Sequence, residues 1–192
     1  MSEKEKGDMK MRRRMRVRVI PGAPGTILAG AFMAVSAVLR LAYYLPKDLE
    51  PGFAAVHVGL PVTAAVCFLA AISMDRKWEK PGLLAALALG VTFFILKATT
   101  FTPLHRFLCT ALYLGVLALF GGTVLGLLPT KKLLYPLFGL PLLVHLFIED
   151  PPKYVFSGVP VWDWLPEISV LCIMAGLLTL SIALEATKLE EM

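Results

Sequence analysis

Runs of about twenty apolar residues recur along this chain, and they constrain the fold more than any other feature. Crossing a hydrocarbon core of about 30 Å takes roughly 20 helical residues. Backbone polar groups in lipid must be satisfied internally, and continuous rather than alternating hydrophobicity selects helices over strands. Five runs reach the required length, at residues 25–45, 53–74, 82–101, 107–128 and 165–185. A sixth, at 133–148, is shorter and contains Pro136 and Pro141, so it reads as a short kinked span or a re-entrant element. The expected fold class is therefore all-α: a polytopic transmembrane helix bundle of about six spans.

Composition agrees. Of 192 residues, 57% are hydrophobic and 17% charged, whereas a soluble domain carries about 25% charged residues. The polar stretches are too short to fold alone. The chain divides into a basic, partly disordered cytoplasmic tail at 1–24, a transmembrane domain at 25–186 and a short cytoplasmic tail at 187–192. The first run is of full spanning length and lacks a small-residue cleavage site, so it reads as a span and not as a removable signal. Cys67, Cys109 and Cys172 lie inside apolar runs without metal-finger spacing and read as small apolar residues.

Lysine and arginine set the orientation, because they are enriched in cytoplasmic loops. Fourteen fall in the N-terminal tail, the loops after spans 2 and 4, and the C-terminus; three, Lys47, Arg106 and Lys153, fall on the alternate side. Both termini are expected in the cytoplasm, in a multi-pass protein of the cell membrane. Compact loops and short tails suggest a bacterial cytoplasmic membrane. The tail arginines, Arg12, Arg13, Arg14, Arg16 and Arg18, lack interleaved aromatics and adjoin a span, so anionic lipid is their expected partner and nucleic acid is not.

With this topology, His57, His105 and His145 fall at outer span ends or outer loops, as do the intramembrane cations Arg40 and Lys97. Ionisable groups inside a membrane are costly and generally face a bundle interior or a water-filled cavity. Arg40, near Tyr43 and Tyr44, has the further option of snorkelling to the outer headgroups, and that is the expectation for it. His57 and His145 each lie four residues from a proline, Pro61 and Pro141, where a kink opens the helix. A candidate outward-facing pocket is assigned to His57, Lys97, His145 and Glu149, with Trp162 and Trp164 of the long loop available to stack on a small polar or aromatic solute. Gly30 and Ala34 form a small-xxx-small pair, which serves either packing within the chain or a subunit interface.

Motifs for P-loop nucleotide hydrolysis, H-E-x-x-H metal chemistry and a G-x-S-x-G nucleophile are absent from the sequence. No catalytic residue, metal site or cofactor is assigned. Three functions fit: a small-solute-binding transporter subunit, a non-catalytic structural or assembly subunit of a larger membrane complex, and a membrane enzyme or proton-handling protein using His145 and Glu149, which are four apart. In span count, length and polar outer side, the layout resembles the substrate-binding S components of energy-coupling-factor vitamin transporters, with no shared motif. The resemblance implies an ATPase module and other membrane subunits as partners, and a coupling face on span 1 at Gly30 and Ala34.

Overall fold

A computed structural model describes residues 19–74, 76–99, 104–126 and 164–190. These are mostly helical, with no strand among the described residues. Among the described residues there are five helices: α1 at Pro24–Tyr44, α2 at Pro51–Ser73, α3 at Arg76–Thr99, α4 at Leu104–Leu125 and α5 at Leu165–Glu190. Four of them, α1, α2, α3 and α5, are long and apolar enough to cross a membrane, and α4 carries an apolar stretch at Ala111–Leu125. The sequence expectation at 133–148 lies outside the described residues.

Proline sets two of the helix starts. Pro24 opens α1 and Pro51 opens α2; in the first turn the missing N–H costs nothing and the ring pre-sets the helical φ. Gly22, at φ 86°, makes the left-handed turn that leads into α1. Pro61 acts differently, because it stands inside α2. Its ring crowds the carbonyl of His57, four residues back, and it has no N–H to offer that carbonyl. The helix answers by widening into a π turn over Ala55–Gly59 before resuming at Leu60, the usual form of an inserted bulge.

The five helices close into a ring, each packed on the next and α5 on α1. Close approaches at glycine fix the directions. Gly25 faces Ala183 of α5, Gly30 faces Ile72 of α2, Gly82 faces Ala71 of α2, and Gly121 faces Leu87 of α3. In each case an early residue of one helix meets a late residue of the other. The α1–α5, α1–α2, α2–α3 and α3–α4 pairs are therefore antiparallel, which makes α4 and α5 parallel. Aromatic side chains fill the middle of the ring: Phe68 lies on Phe120, and Phe94 sits between Phe93 and Tyr113. The outer surface stays apolar, with Ile27, Val35, Val38, Val66 and Ile95 exposed. That pattern fits lipid as the surrounding medium, because water would penalise so many exposed aliphatic groups. Half of the apolar window of α5 is buried, 50% against 33% or less for the other spanning helices, so α5 is the most enclosed of the four.

Candidate functional site

The antiparallel ring brings the end of α1, the start of α2, the end of α3 and the start of α5 to one end of the bundle. Arg40 stands there, one turn before the end of α1, with Ser36 one turn deeper on the same face. Arg40 does not snorkel. It is only 2% exposed and turns into the bundle. Its Nε–H donates to Ser169 Oγ of α5 at 3.1 Å, one terminal nitrogen donates to the His57 carbonyl of α2 at 2.8 Å, and the other donates to the Pro166 carbonyl of α5 at 3.1 Å. The snorkelling expectation fails because three neutral acceptors converge here, which makes the interior a better solvent for the guanidinium than the lipid boundary.

Each acceptor has a cause in the sequence. Pro61 leaves the His57 carbonyl without its helical donor, and Arg40 supplies the replacement. Pro166 stands in the first turn of α5, where its carbonyl lies close to the helix end. Ser169 accepts from Arg40 and passes its own proton to the Ser36 carbonyl at 2.9 Å, while Ser36 Oγ donates to the Met33 carbonyl at 2.8 Å. The guanidinium and two serines thus form a fully buried polar thread from α1 to α5. Hydrogen bonds to a charged group are worth about 1.5–3 kcal/mol each.

Aromatic rings cover the cluster. The Arg40 guanidinium carbon lies 5.0 Å from the Phe93 ring centroid of α3, and such a contact contributes about 2 kcal/mol when desolvated. The His57 imidazole stacks on Phe53 at 4.0 Å and meets Phe93 edge-on at 6.4 Å. Tyr44 packs against Phe53, and Lys47 caps the Tyr43 ring. Beneath Phe93 is a cavity of about 20 Å³ beside Pro61, lined also by Met33, Ala65, Gly90 and Leu177. The kink therefore does make room, but the room is apolar and of the order of one water molecule.

The sequence-assigned residues are placed as follows. His57 is half-buried in the π turn, and Trp164 is half-buried immediately before α5, at the same end of the bundle. Lys97 belongs to the last turns of α3, also at this end; its side chain lies outside the described residues, as do His145, Glu149 and Trp162. Gly30 is buried, and a Cβ there would lie 2.9 Å from Ile72 Cδ1, so its close approach is to α2 of the same chain. Ala34 is half-buried. Cys67 and Cys172 are free thiols. No group of three metal-ligating side chains occurs among the described residues.

Sequence reasoning missed Ser36, Ser169 and Phe93 and misplaced Arg40. A signal for part of this was present. A proline within a helix frees the carbonyl four residues earlier, so Pro61 marks the His57 carbonyl, not its ring, as the group needing a partner. Ser36 and Arg40 are four apart, hence on one face. The meeting with Ser169 depends on the α1–α5 pairing, which no local pattern announces.

At the opposite end, the Val19 N–H donates to Glu79 Oε1 at 2.8 Å, tying the entry of the chain to the start of α3. Glu185 of α5 is buried, and its Oε1 has no hydrogen-bond partner among the described residues.

Comparison of the chain with protein-family models, curated proteins and solved structures gives no match. The likeness to S components thus rests on layout alone. The fold defines a class: over the described residues the protein is helical without strands, and four of its helices are long and apolar enough to cross a membrane.

Proposed function

We propose that this chain is a small-solute-binding subunit of a membrane transporter, crossing the membrane six times, with both termini in the cytoplasm and its site at the outward-facing Arg40 end. One observation carries the reading: Arg40 is a cation buried among apolar helices, held by three neutral acceptors on two other helices and by a ring face. An ionisable residue kept inside a membrane bundle at such cost is a functional group by default. The half-buried His57 and Trp164 share its end of the bundle, which supports putting the site there.

Topology supports the crossing number. Because α4 and α5 are parallel, α4 finishes at the end of the bundle opposite to the start of α5. This supports an even number of crossings, as six spans require. The lysine and arginine distribution supports the orientation, since the tail, the loop before α3 and the C-terminus all belong to the end opposite Arg40.

A second reading is favoured by a different feature. All three Arg40 hydrogen bonds close on its own chain, as a purely structural clasp would, and this suits a non-catalytic assembly subunit. Native mass spectrometry of the full chain, extracted in mild detergent from its own membrane, separates the two. The transporter reading expects a small-molecule adduct and a copurifying ATP-hydrolysing module. A stoichiometric complex with other membrane proteins and no small-molecule adduct would establish the assembly role instead.

A further inference from the structure

The solute-binding reading leaves open what kind of solute is bound, and the guanidinium narrows it. Arginine carries five N–H donors and no acceptor. Three of the five in Arg40 are engaged, by Ser169 Oγ, the His57 carbonyl and the Pro166 carbonyl. One N–H remains on each terminal nitrogen without an acceptor among the described residues. The partners that are present carry no formal charge, and no carboxylate forms an ion pair with Arg40 among the described residues. Glu167 lies within electrostatic reach but not in contact. A residue that is only 2% exposed therefore has dipoles and the face of Phe93 as its direct contacts, with no carboxylate bonded to it among the described residues. Buried charges are ordinarily paired, because removing an ion from water costs several kcal/mol that dipoles only partly return.

Resting on the solute-binding reading, we infer that the solute is a small organic anion whose carboxylate is received by Arg40. Two oxygens at carboxylate spacing match one N–H on each terminal nitrogen, the forked arrangement in which arginine binds carboxylates most strongly. The three existing bonds fix the guanidinium in advance, so little side-chain freedom is lost on binding. Arg40 lies four residues from the end of α1, a depth of about 6 Å at 1.5 Å per residue. Among the described residues, the Tyr44, Phe53 and His57 rings at that end offer flat apolar surfaces to the body of the solute. The cavity beneath Phe93 is too small and too apolar to receive the charged group.

The test uses the full chain in nanodiscs and a panel of mono- and dicarboxylates, each paired with its primary amide, which keeps the shape and removes the charge. Binding is measured by isothermal titration, and thermal unfolding is followed alongside it. The inference expects at least one carboxylate to bind on the order of tenfold or more tightly than its amide. It also expects Arg40→Lys, which keeps the cation but loses the fork, to weaken that carboxylate by a similar factor. Phe68→Leu, in the core away from the site, controls for lost stability and should leave the affinity unchanged. A carboxylate and its amide bound equally well, or an unchanged affinity in Arg40→Lys, overturns the anion assignment while leaving solute binding intact. If no member of either set binds, the solute-binding reading falls, and the anion with it.

Discussion

The link between Pro61 and Arg40 makes a quantitative prediction. In the native chain the His57 carbonyl has lost its helical donor to Pro61 and regains one from Arg40 at 2.8 Å. Arg40→Met removes that donor while keeping an unbranched apolar side chain. Ser169 keeps its bond to the Ser36 carbonyl, and Pro166 stands at a helix start that continues to order it. The His57 carbonyl is the group that loses its Arg40 donor, and losing a hydrogen bond to a charged group costs about 1–3 kcal/mol. Pro61→Ala restores an N–H at position 61 and lets the π turn close into regular helix. In that background the carbonyl is satisfied from within α2, and losing Arg40 no longer orphans it. The two substitutions should therefore couple, with Arg40→Met costing about 1–2 kcal/mol less in the Pro61→Ala protein than in the native one. Reversible unfolding in mixed detergent micelles, followed by circular dichroism on all four members of the cycle, measures this. Distant, independent sites add to within about 0.3–0.5 kcal/mol; additivity at that level would show that the proline and the arginine are not joined through the carbonyl.

Two further outcomes follow from packing. A Cβ on Gly82 would stand 2.7 Å from Ala71 Cβ and 3.2 Å from the Cys67 carbonyl, so Gly82→Ala should part α2 from α3 and lower stability by about 1–3 kcal/mol, read as a fall in the detergent unfolding midpoint; an unchanged midpoint would mean the helices are not in contact there. Glu185 carries a buried oxygen without a partner among the described residues, so Glu185→Leu should leave the midpoint unchanged or raise it. A loss of more than about 1 kcal/mol would instead mean that a group outside the described residues pairs with the carboxylate.

Much of the fold was legible in the sequence because lipid makes strong demands. Continuous apolar runs identify helices α1, α2, α3, α4 and α5 to within a few residues, since the solvent requires both the length and the helical state. Pro24 and Pro51 mark helix starts for a local reason. What the sequence does not show is which helices meet. The α1–α5 pairing depends on Gly25 meeting Ala183 and on Ala29 and Met33 meeting Gly176, contacts between segments far apart in the chain with no shared motif. Arg40 was misplaced for that reason. Taken alone, an arginine one turn from a span end beside two tyrosines has every reason to reach the headgroups. Only the arrival of Ser169 and Pro166, together with the carbonyl that Pro61 frees, makes the interior the better site. His57 was singled out for its ring, whereas its backbone oxygen is the group that Arg40 engages.

The account stands most directly on which side of the membrane the Arg40 end faces. Asp48, in the exposed segment between α1 and α2, lies at the Arg40 end, and α5, which Glu191 follows in the sequence, ends at the opposite one. With Cys67, Cys109 and Cys172 replaced by alanine, Asp48→Cys or Glu191→Cys can be probed in intact cells with a membrane-impermeant maleimide. Labelling of Asp48→Cys, with Glu191→Cys reacting only after the cells are opened, is the predicted result. Labelling of Glu191→Cys in intact cells, with Asp48→Cys protected, would place Arg40 and its aromatic cover on the cytoplasmic side and contradict an outward-facing site.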